Sequence, residues 1–166
     1  MRKVSVLFVC MGNICRSPTA QGVFESLLAE AGLEELVLVD SAGTHAYHVG
    51  EQPDTRAASA AARRGIDLTR QRARRVEGGD FERFDYLLAM DSSNLEDLLA
   101  ICPQQHRNKV RLFLEFAGPD ARQDVPDPYY GGSQGFERVL DLVEEGALGL
   151  IEDIRRQLGR DPGSAA

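Results

Sequence analysis

The chain has 166 residues, 43% hydrophobic and 27% charged, which suits one globular domain with a core of ordinary size. With 19 Lys and Arg against 26 Asp and Glu the formal net charge is −7, which argues against a general nucleic-acid binder and, taken alone, against an anionic ligand. No apolar run approaches the roughly 18 residues of a membrane span, and three cysteines do not make a disulfide framework, so a soluble protein of the reducing cytoplasm, with no membrane partner, is expected.

Val4–Val9 is a short β-branched and apolar run, as a buried strand would be. Ser17-Pro18 reads as an N-cap followed by proline at the first helical position, opening a helix to about Ala31 with Gly32 as its stop. Leu36–Val39 is the second strand, ending in Asp40-Ser41-Ala42-Gly43. After a loop rich in Gly, His and Pro, Asp54 caps a helix from Thr55 to about Arg64, closed by Gly65. Tyr86–Met90 is the third apolar run, and Asp91-Ser92 opens a helix to about Ile101. Val110–Leu114 is the fourth run, and Ala117–Gly132, with Pro119, Pro126 and Pro128, is loop. Phe136, Val139, Leu140, Val143, Ala147, Leu150, Ile151, Ile154 and Leu158 then mark one amphipathic helix from near Ser133 to Gly159.

This βαβαβαβα alternation implies an α/β fold: a single-domain, four-stranded, parallel twisted sheet with helices on both faces. Residues 1–160 form the domain, and the tail 161–166 is expected to fray. In such sheets ligands bind beyond the carboxyl ends of the strands, near the switch in strand order.

At the first strand end, Cys10-Met11-Gly12-Asn13-Ile14-Cys15-Arg16-Ser17 leads straight into a helix. A Cys and an Arg at this separation mean little by themselves, since three Cys and 17 Arg supply roughly 0.3 such pairs by chance. The setting carries the argument. A short loop between strand and helix turns backbone N–H groups inward as an anion nest, and the helix end adds its own free N–H groups. Gly12 and Asn13 tolerate the left-handed turns such a loop needs. Arg16 adds a planar fork matching two phosphoryl oxygens, and Cys10 sits where that field favours a thiolate nucleophile. A cysteine at a strand end is most often a small buried hydrophobe, and Arg16 could instead cap a neighbouring helix. The coincidence of nest, turn residues, helix start and Arg favours the phosphate-binding reading.

Attack on a phosphate monoester also requires an acid to protonate the leaving oxygen. Asp127, between Pro126 and Pro128 in the loop after the fourth run, is held extended beyond the same sheet edge. Asp-Pro alone is a common turn starter; beside Cys10 it reads as the acid. Tyr129 and Tyr130 offer flat faces to an aromatic leaving group.

Together these residues resemble the low-molecular-weight protein tyrosine phosphatases. The resemblance rests on Val9-Cys10-Met-Gly-Asn-Ile-Cys15-Arg16-Ser17-Pro18, Asp40-Ser41-Ala42-Gly43-Thr44, Gly65-Ile66-Asp67 with Ala73-Arg74, Met90-Asp91-Ser92-Ser93-Asn94-Leu95, and Asp127-Pro128-Tyr129. Larger tyrosine phosphatases usually carry His where Val9 stands. The resemblance implies metal- and cofactor-free hydrolysis of phosphotyrosine proteins and small aryl phosphates through a phosphocysteine on Cys10. Arg16 and the loop Met11–Arg16 would clamp the phosphate, with inorganic phosphate as product and inhibitor. Asp127 would serve as acid and then base, and Ser17 would hydrogen-bond the sulfur. Asn13 would hold the loop through Ser41, and Tyr47, Tyr129 and Tyr130 would line the cleft. Cys15 would face Cys10 as a redox partner, or be a core thiol. A monomer or weak dimer is expected.

Gln71 stands where relatives often carry a supporting His. His45 and His48 read as solvated loop residues. Seven Arg between Asp54 and Arg75 against Asp54 and Asp67 give a local excess of +5. With 17 of 19 basic residues Arg, the group Arg63, Arg64, Arg70, Arg72, Arg74 and Arg75 reads as a solvated surface rather than a site for acidic peptide. Two other functions remain open: a thiol-dependent arsenate reductase, whose relay only Cys102 could extend, and a non-catalytic phosphate-binding module.

Overall fold

Strand β1 (Val4–Cys10) is buried at all seven positions, because it is flanked by a strand on each side and covered on both faces. The computed structural model describes residues 3–121, 123–129 and 132–160. β1 pairs in parallel with β2 (Val37–Gly43) and β3 (Tyr86–Ala89), and β3 pairs with β4 (Val110–Leu112), giving the order β2-β1-β3-β4.

Alternation along β1 splits the core in two. Val4, Val6, Phe8 and Cys10 face a cluster shared with α1 (Arg16–Glu30), α2 (Thr55–Ala62) and α5 (Ser133–Arg160). Leu7 and Val9 face a second cluster with Phe81 and Phe84, in and just after the short α3 (Asp80–Arg83), and Leu98 of α4 (Ser92–Ile101). Helices thus cover both faces of the parallel sheet, as the alternation of runs predicts. The chain passes from β2, on one side of β1, to β3 on the other, so the switch in strand order opens at the carboxyl ends of β1 and β3.

Several boundaries differ from expectation. β2 begins at Val37 and runs on through the polar Asp40-Ser41 to Gly43, because β1 pairs with it up to Cys10–Gly43. β4 stops at Leu112, and Phe113–Ala117 winds into a 3-10 helix against α5. The approach is close: a Cβ on Gly149 would lie 1.6 Å from the Phe116 carbonyl oxygen. A second 3-10 helix (Gln104–Lys109) and α3 escaped the sequence pattern because each is too short to show a period. α5 continues past Gly159 to Arg160. The tail 161–166 lies outside the described residues.

The start of α1 is also corrected. Cys15, not Ser17, holds the N-cap position, and its side chain makes no capping bond. Pro18 is accommodated two residues into the first turn, where backbone N–H groups have no helical acceptor. Ser17 is released for other work. Among the described residues no helix is long and apolar enough to cross a membrane.

Candidate active site

The loop from Cys10 to Arg16 joins the end of β1 to the start of α1, and its conformation is imposed from outside. The carbonyls of Cys10 and Met11 accept from the N–H groups of Thr44 (2.9 Å) and His45 (3.0 Å), and that of Ile14 from Asp54 (2.8 Å). In a trans peptide the N–H points opposite to its C=O. The N–H groups of Met11, Gly12 and Cys15 are therefore directed to the inner side of the loop, which makes an anion nest. Asn13 carries the one left-handed backbone among non-glycine described residues, φ 58°. Gly43 is needed for a different reason: a Cβ there would lie 2.7 Å from the Met11 carbonyl oxygen.

Cys10 sits at the base, 3% exposed. Its Sγ is 3.0 Å from Ser17 Oγ and accepts from the Asn13 N–H at 3.3 Å. Behind it runs a chain of side chains whose polarity is set by its far end. Asn13 Oδ1 accepts from the Arg74 N–H (3.0 Å), so Nδ2 must face Ser17 Oγ (2.8 Å) and Ser41 Oγ (3.0 Å). Ser41 in turn donates to Gln71 Oε1 (3.3 Å), and Gln71 Nε2 donates to the Pro18 carbonyl (2.9 Å). Gln71 thus completes the support behind the loop. With Ser17 Oγ accepting from Asn13, its hydroxyl proton is free to point at the sulfur.

Arg16 is 2% exposed, unusual for an arginine. Its Nη1 donates to Asp91 Oδ2 (2.6 Å) and the Val125 carbonyl (3.0 Å), and Nη2 lies 3.8 Å from Asp127 Oδ2. Burial works against the charge, but Cys10, Asp91 and Asp127 outweigh it and hold the guanidinium pKa above its ordinary value. The loop that carries Asp127 is anchored to the end of β3: Val125 N–H donates to the Met90 carbonyl, and Asp124 accepts from Ser92 N–H and Oγ. Asp127 Oδ1 accepts from Tyr129 N–H (3.0 Å) in an Asx turn, which orients the carboxylate. Its side chain stays 40% exposed at the rim.

These groups surround a cleft of about 340 Å³ lined by Cys10, Met11, Gly12, Ile14, Cys15, Arg16, Tyr47, His48, Asp127 and Tyr129. Tyr47 is 70% exposed and stacks on His45. Tyr130 lies outside the described residues. His48 does not stand free in solvent: its ring packs over Gly12, its Nδ1 meets Glu51 Oε2 at 2.5 Å, and it forms part of the wall. No spacing in the sequence flags it; the turn at Gly43 folds residues 44–51 back over the loop.

Burial, aided by the charges of Asp54, Cys10 and Asp127, pushes the Cys15 thiol up, so Cys15 is a protonated wall residue at neutral pH. Cys102, at the end of α4, donates to the Pro103 carbonyl and is not among the cleft-lining residues. The arginine group is not a uniform solvated surface: Arg63 and Arg64 pair with Glu137, Asp141 and Glu144 of α5, and Arg74 pairs with Asp40 and Asp80. Among the described residues no group of three or more His, Cys, Asp or Glu could hold a metal ion.

A doubly wound α/β protein with a thiol at the base of an anion nest, a buried arginine beside it and a carboxyl group at the rim defines a class of phosphate-handling folds. Residues 5–160 match the family model described as low molecular weight phosphotyrosine protein phosphatase. The chain is 49% identical over 145 residues to the low molecular weight phosphotyrosine protein phosphatase of Schizosaccharomyces pombe, covering 86% of this chain and 92% of that protein. Against the human protein of the same description it is 43% identical over 136 residues, 81% of this chain and 85% of that one. A protein tyrosine phosphatase from Entamoeba histolytica, crystallised with Hepes in the active site, superposes with a TM-score of 0.90 at 40% identity, covering 93% of this chain and 99% of that chain. The chain belongs to the low molecular weight phosphotyrosine protein phosphatase family.

Proposed function

We propose that this protein hydrolyses phosphotyrosine in protein substrates, and small aryl phosphates, through a phosphocysteine on Cys10. The observation that carries this reading is the position of Cys10 Sγ at the base of the nest, between Ser17 Oγ and the Asn13 N–H. Both groups donate to a thiolate, favouring it for attack and again as the leaving group.

In the first step the Cys10 thiolate forms the S–P bond while the bond to the tyrosyl oxygen breaks. The inward N–H groups and Arg16 hold the equatorial phosphoryl oxygens, where charge is carried in the transition state. Asp127, in its acid form, gives its proton to the departing oxygen. In the second step the Asp127 carboxylate takes a proton from water, whose oxygen attacks phosphorus and displaces the thiolate. Inorganic phosphate leaves. Tyr47, His48 and Tyr129 form the walls against which a phenyl ring would stack.

Cys10→Ser is expected to abolish turnover of p-nitrophenyl phosphate while inorganic phosphate still binds, and EDTA should leave the wild-type rate unchanged. Wild-type turnover in Cys10→Ser would refute the mechanism.

Cys15 adds a redox element to the proposal, supported by its place in the same cleft wall. Peroxide oxidises the Cys10 thiolate to a sulfenic acid, and the Cys15 thiol displaces hydroxide from that sulfur to form a disulfide and water. Intact mass should then fall by two hydrogens, and a sulfinic Cys10 in the wild type would contradict the assignment.

A further inference from the structure

Asp80 is the one acidic residue among the described buried polar groups, and it is 0% exposed. It belongs to none of the steps above. Its two carboxylate oxygens receive both terminal nitrogens of Arg74, Nη1 to Oδ2 at 3.0 Å and Nη2 to Oδ1 at 3.2 Å. The Glu77 N–H also donates to Oδ2 (2.8 Å). From the other side Arg74 Nε donates to Asp40 Oδ2 at 3.1 Å. A planar guanidinium held as a fork at one edge and again at Nε has little freedom.

The consequence lies in the backbone of the same residue. Arg74 N–H donates to Asn13 Oδ1, and the Arg74 carbonyl accepts from the Gly43 N–H (2.8 Å). Flanking residues extend the strap. Val76 N–H donates to the Gly43 carbonyl, and Ala73 exchanges bonds with Gly50 and Glu51 at the base of the loop bearing Tyr47 and His48. Segment 71–76 therefore touches the phosphate loop, the end of β2 and the rim loop together.

We infer that Asp80 is a remote positioning residue for the nucleophile, acting through Arg74 on Asn13. The Arg74 N–H on Oδ1 holds the amide of Asn13 in one orientation, and Ser41, whose proton goes to Gln71, accepts from Nδ2 in that same orientation. Were that donor to shift, the amide could turn over, and Nδ2 would no longer face Ser17 Oγ. Ser17 would lose the donor that leaves its own proton for Cys10. Asp80 thus holds the hydrogen-bond direction at the sulfur from the far side of the strap, although it touches neither the loop nor the substrate.

The inference rests on Cys10 as the nucleophile, and the test separates the two. Asp80→Asn is expected to lower kcat for p-nitrophenyl phosphate by about ten- to a hundred-fold, the scale of a small misplacement of reacting groups. Alkylation of Cys10 by iodoacetate, followed by mass, should slow as well. In an Asn13→Ala background the further loss from Asp80→Asn should vanish, because the link it acts through is gone. A merely structural Asp80 would lower the melting temperature in both backgrounds and give additive kinetic losses. Arg74→Lys, which keeps the charge and removes the fork, should repeat the pattern if Asp80→Asn does not fold. Wild-type kcat in either variant, or additivity with Asn13→Ala, would overturn the inference. Hydrolysis surviving in Cys10→Ser would instead refute the nucleophile, while the alkylation rate would still report on Asp80.

Discussion

Asp91 and Arg16 meet at 2.6 Å behind the Cys10–Arg16 loop, joining the end of β3 to the start of α1. The two oxygens of Asp91 have separate duties: Oδ1 caps α4 by accepting from the Asn94 N–H at 2.7 Å, and Oδ2 holds Arg16. In the sequence Asp91 reads as the opening of a helix and as one position of a family motif, with no partner assigned to it. Its second duty exists because β1 and β3 are neighbours in the sheet.

Asp91→Asn separates the two duties. Asparagine caps a helix about as well as aspartate, but it puts no charge opposite the buried guanidinium. The inhibition constant for inorganic phosphate should rise and kcat/KM fall by about ten- to a hundred-fold, as for a misplaced clamp. Asp91→Ala should show the same kinetic loss and a lower melting temperature besides. An unchanged phosphate constant in Asp91→Asn would show that Val125 alone positions Arg16.

For Asp127→Asn the expected loss is roughly two to four powers of ten in kcat with phenolic substrates, the usual size of acid–base catalysis. The loss should shrink as the leaving phenol becomes more acidic, since a better leaving group needs less protonation. Rates across a series of substituted phenyl phosphates measure this. A uniform loss across the series would remove Asp127 from leaving-group protonation.

Gly43→Ala tests the support from β2. The added methyl would press on the Met11 carbonyl, a backbone atom held in the nest. Activity should fall further than stability does, because the displaced peptide directs the Gly12 N–H into the cleft. Parallel measurement of kcat/KM and of the urea midpoint decides it: equal proportional losses would point to general unfolding.

Stability should decline in alkali. Burial, first, and neighbouring negative charge raise the Cys15 thiol in the folded chain, and burial followed by the bond to Asp153 raises the Tyr86 phenol. The unfolded chain gives up these protons at about 8.5 and about 10, so the native state binds more protons above those values. The contribution is complete below them and is lost as pH climbs toward the folded values. The urea midpoint should fall from about pH 8 to about pH 10.5, and Cys15→Ala and Tyr86→Phe should each flatten that slope. A slope equal to wild type in both would refute the assignment.

A summed charge does not describe a local site. A net charge of −7 speaks against an anionic ligand, yet the nest is made of peptide N–H groups and one buried arginine, which the count hardly registers. The Cys10–Ser17 segment was legible because strand, turn and helix start are local and leave their mark in neighbouring residues. The four strands and the long helix were legible for the same reason, being set by the periodicity of apolar side chains. The resemblance marked the place of Gln71 but not its partners Ser41 and Pro18, 30 and 53 residues away. Nothing local tied Asp91 to Arg16, 75 residues away, or His48 to the loop. Asp80 lies only six residues from Arg74, but the Asn13 amide that Arg74 holds is 61 residues from it. Order β2-β1-β3-β4 brings the ends of β1, β2 and β3 to one edge, and only there do these side chains acquire partners. Local pattern thus determined the elements and the thiol with its arginine. The Asn13 N–H reaches the thiol locally, but the orientation of the Asn13 amide that leaves the Ser17 proton for the sulfur was decided by residues far away in the chain, since a donor acquires its direction from the acceptor that packing places before it.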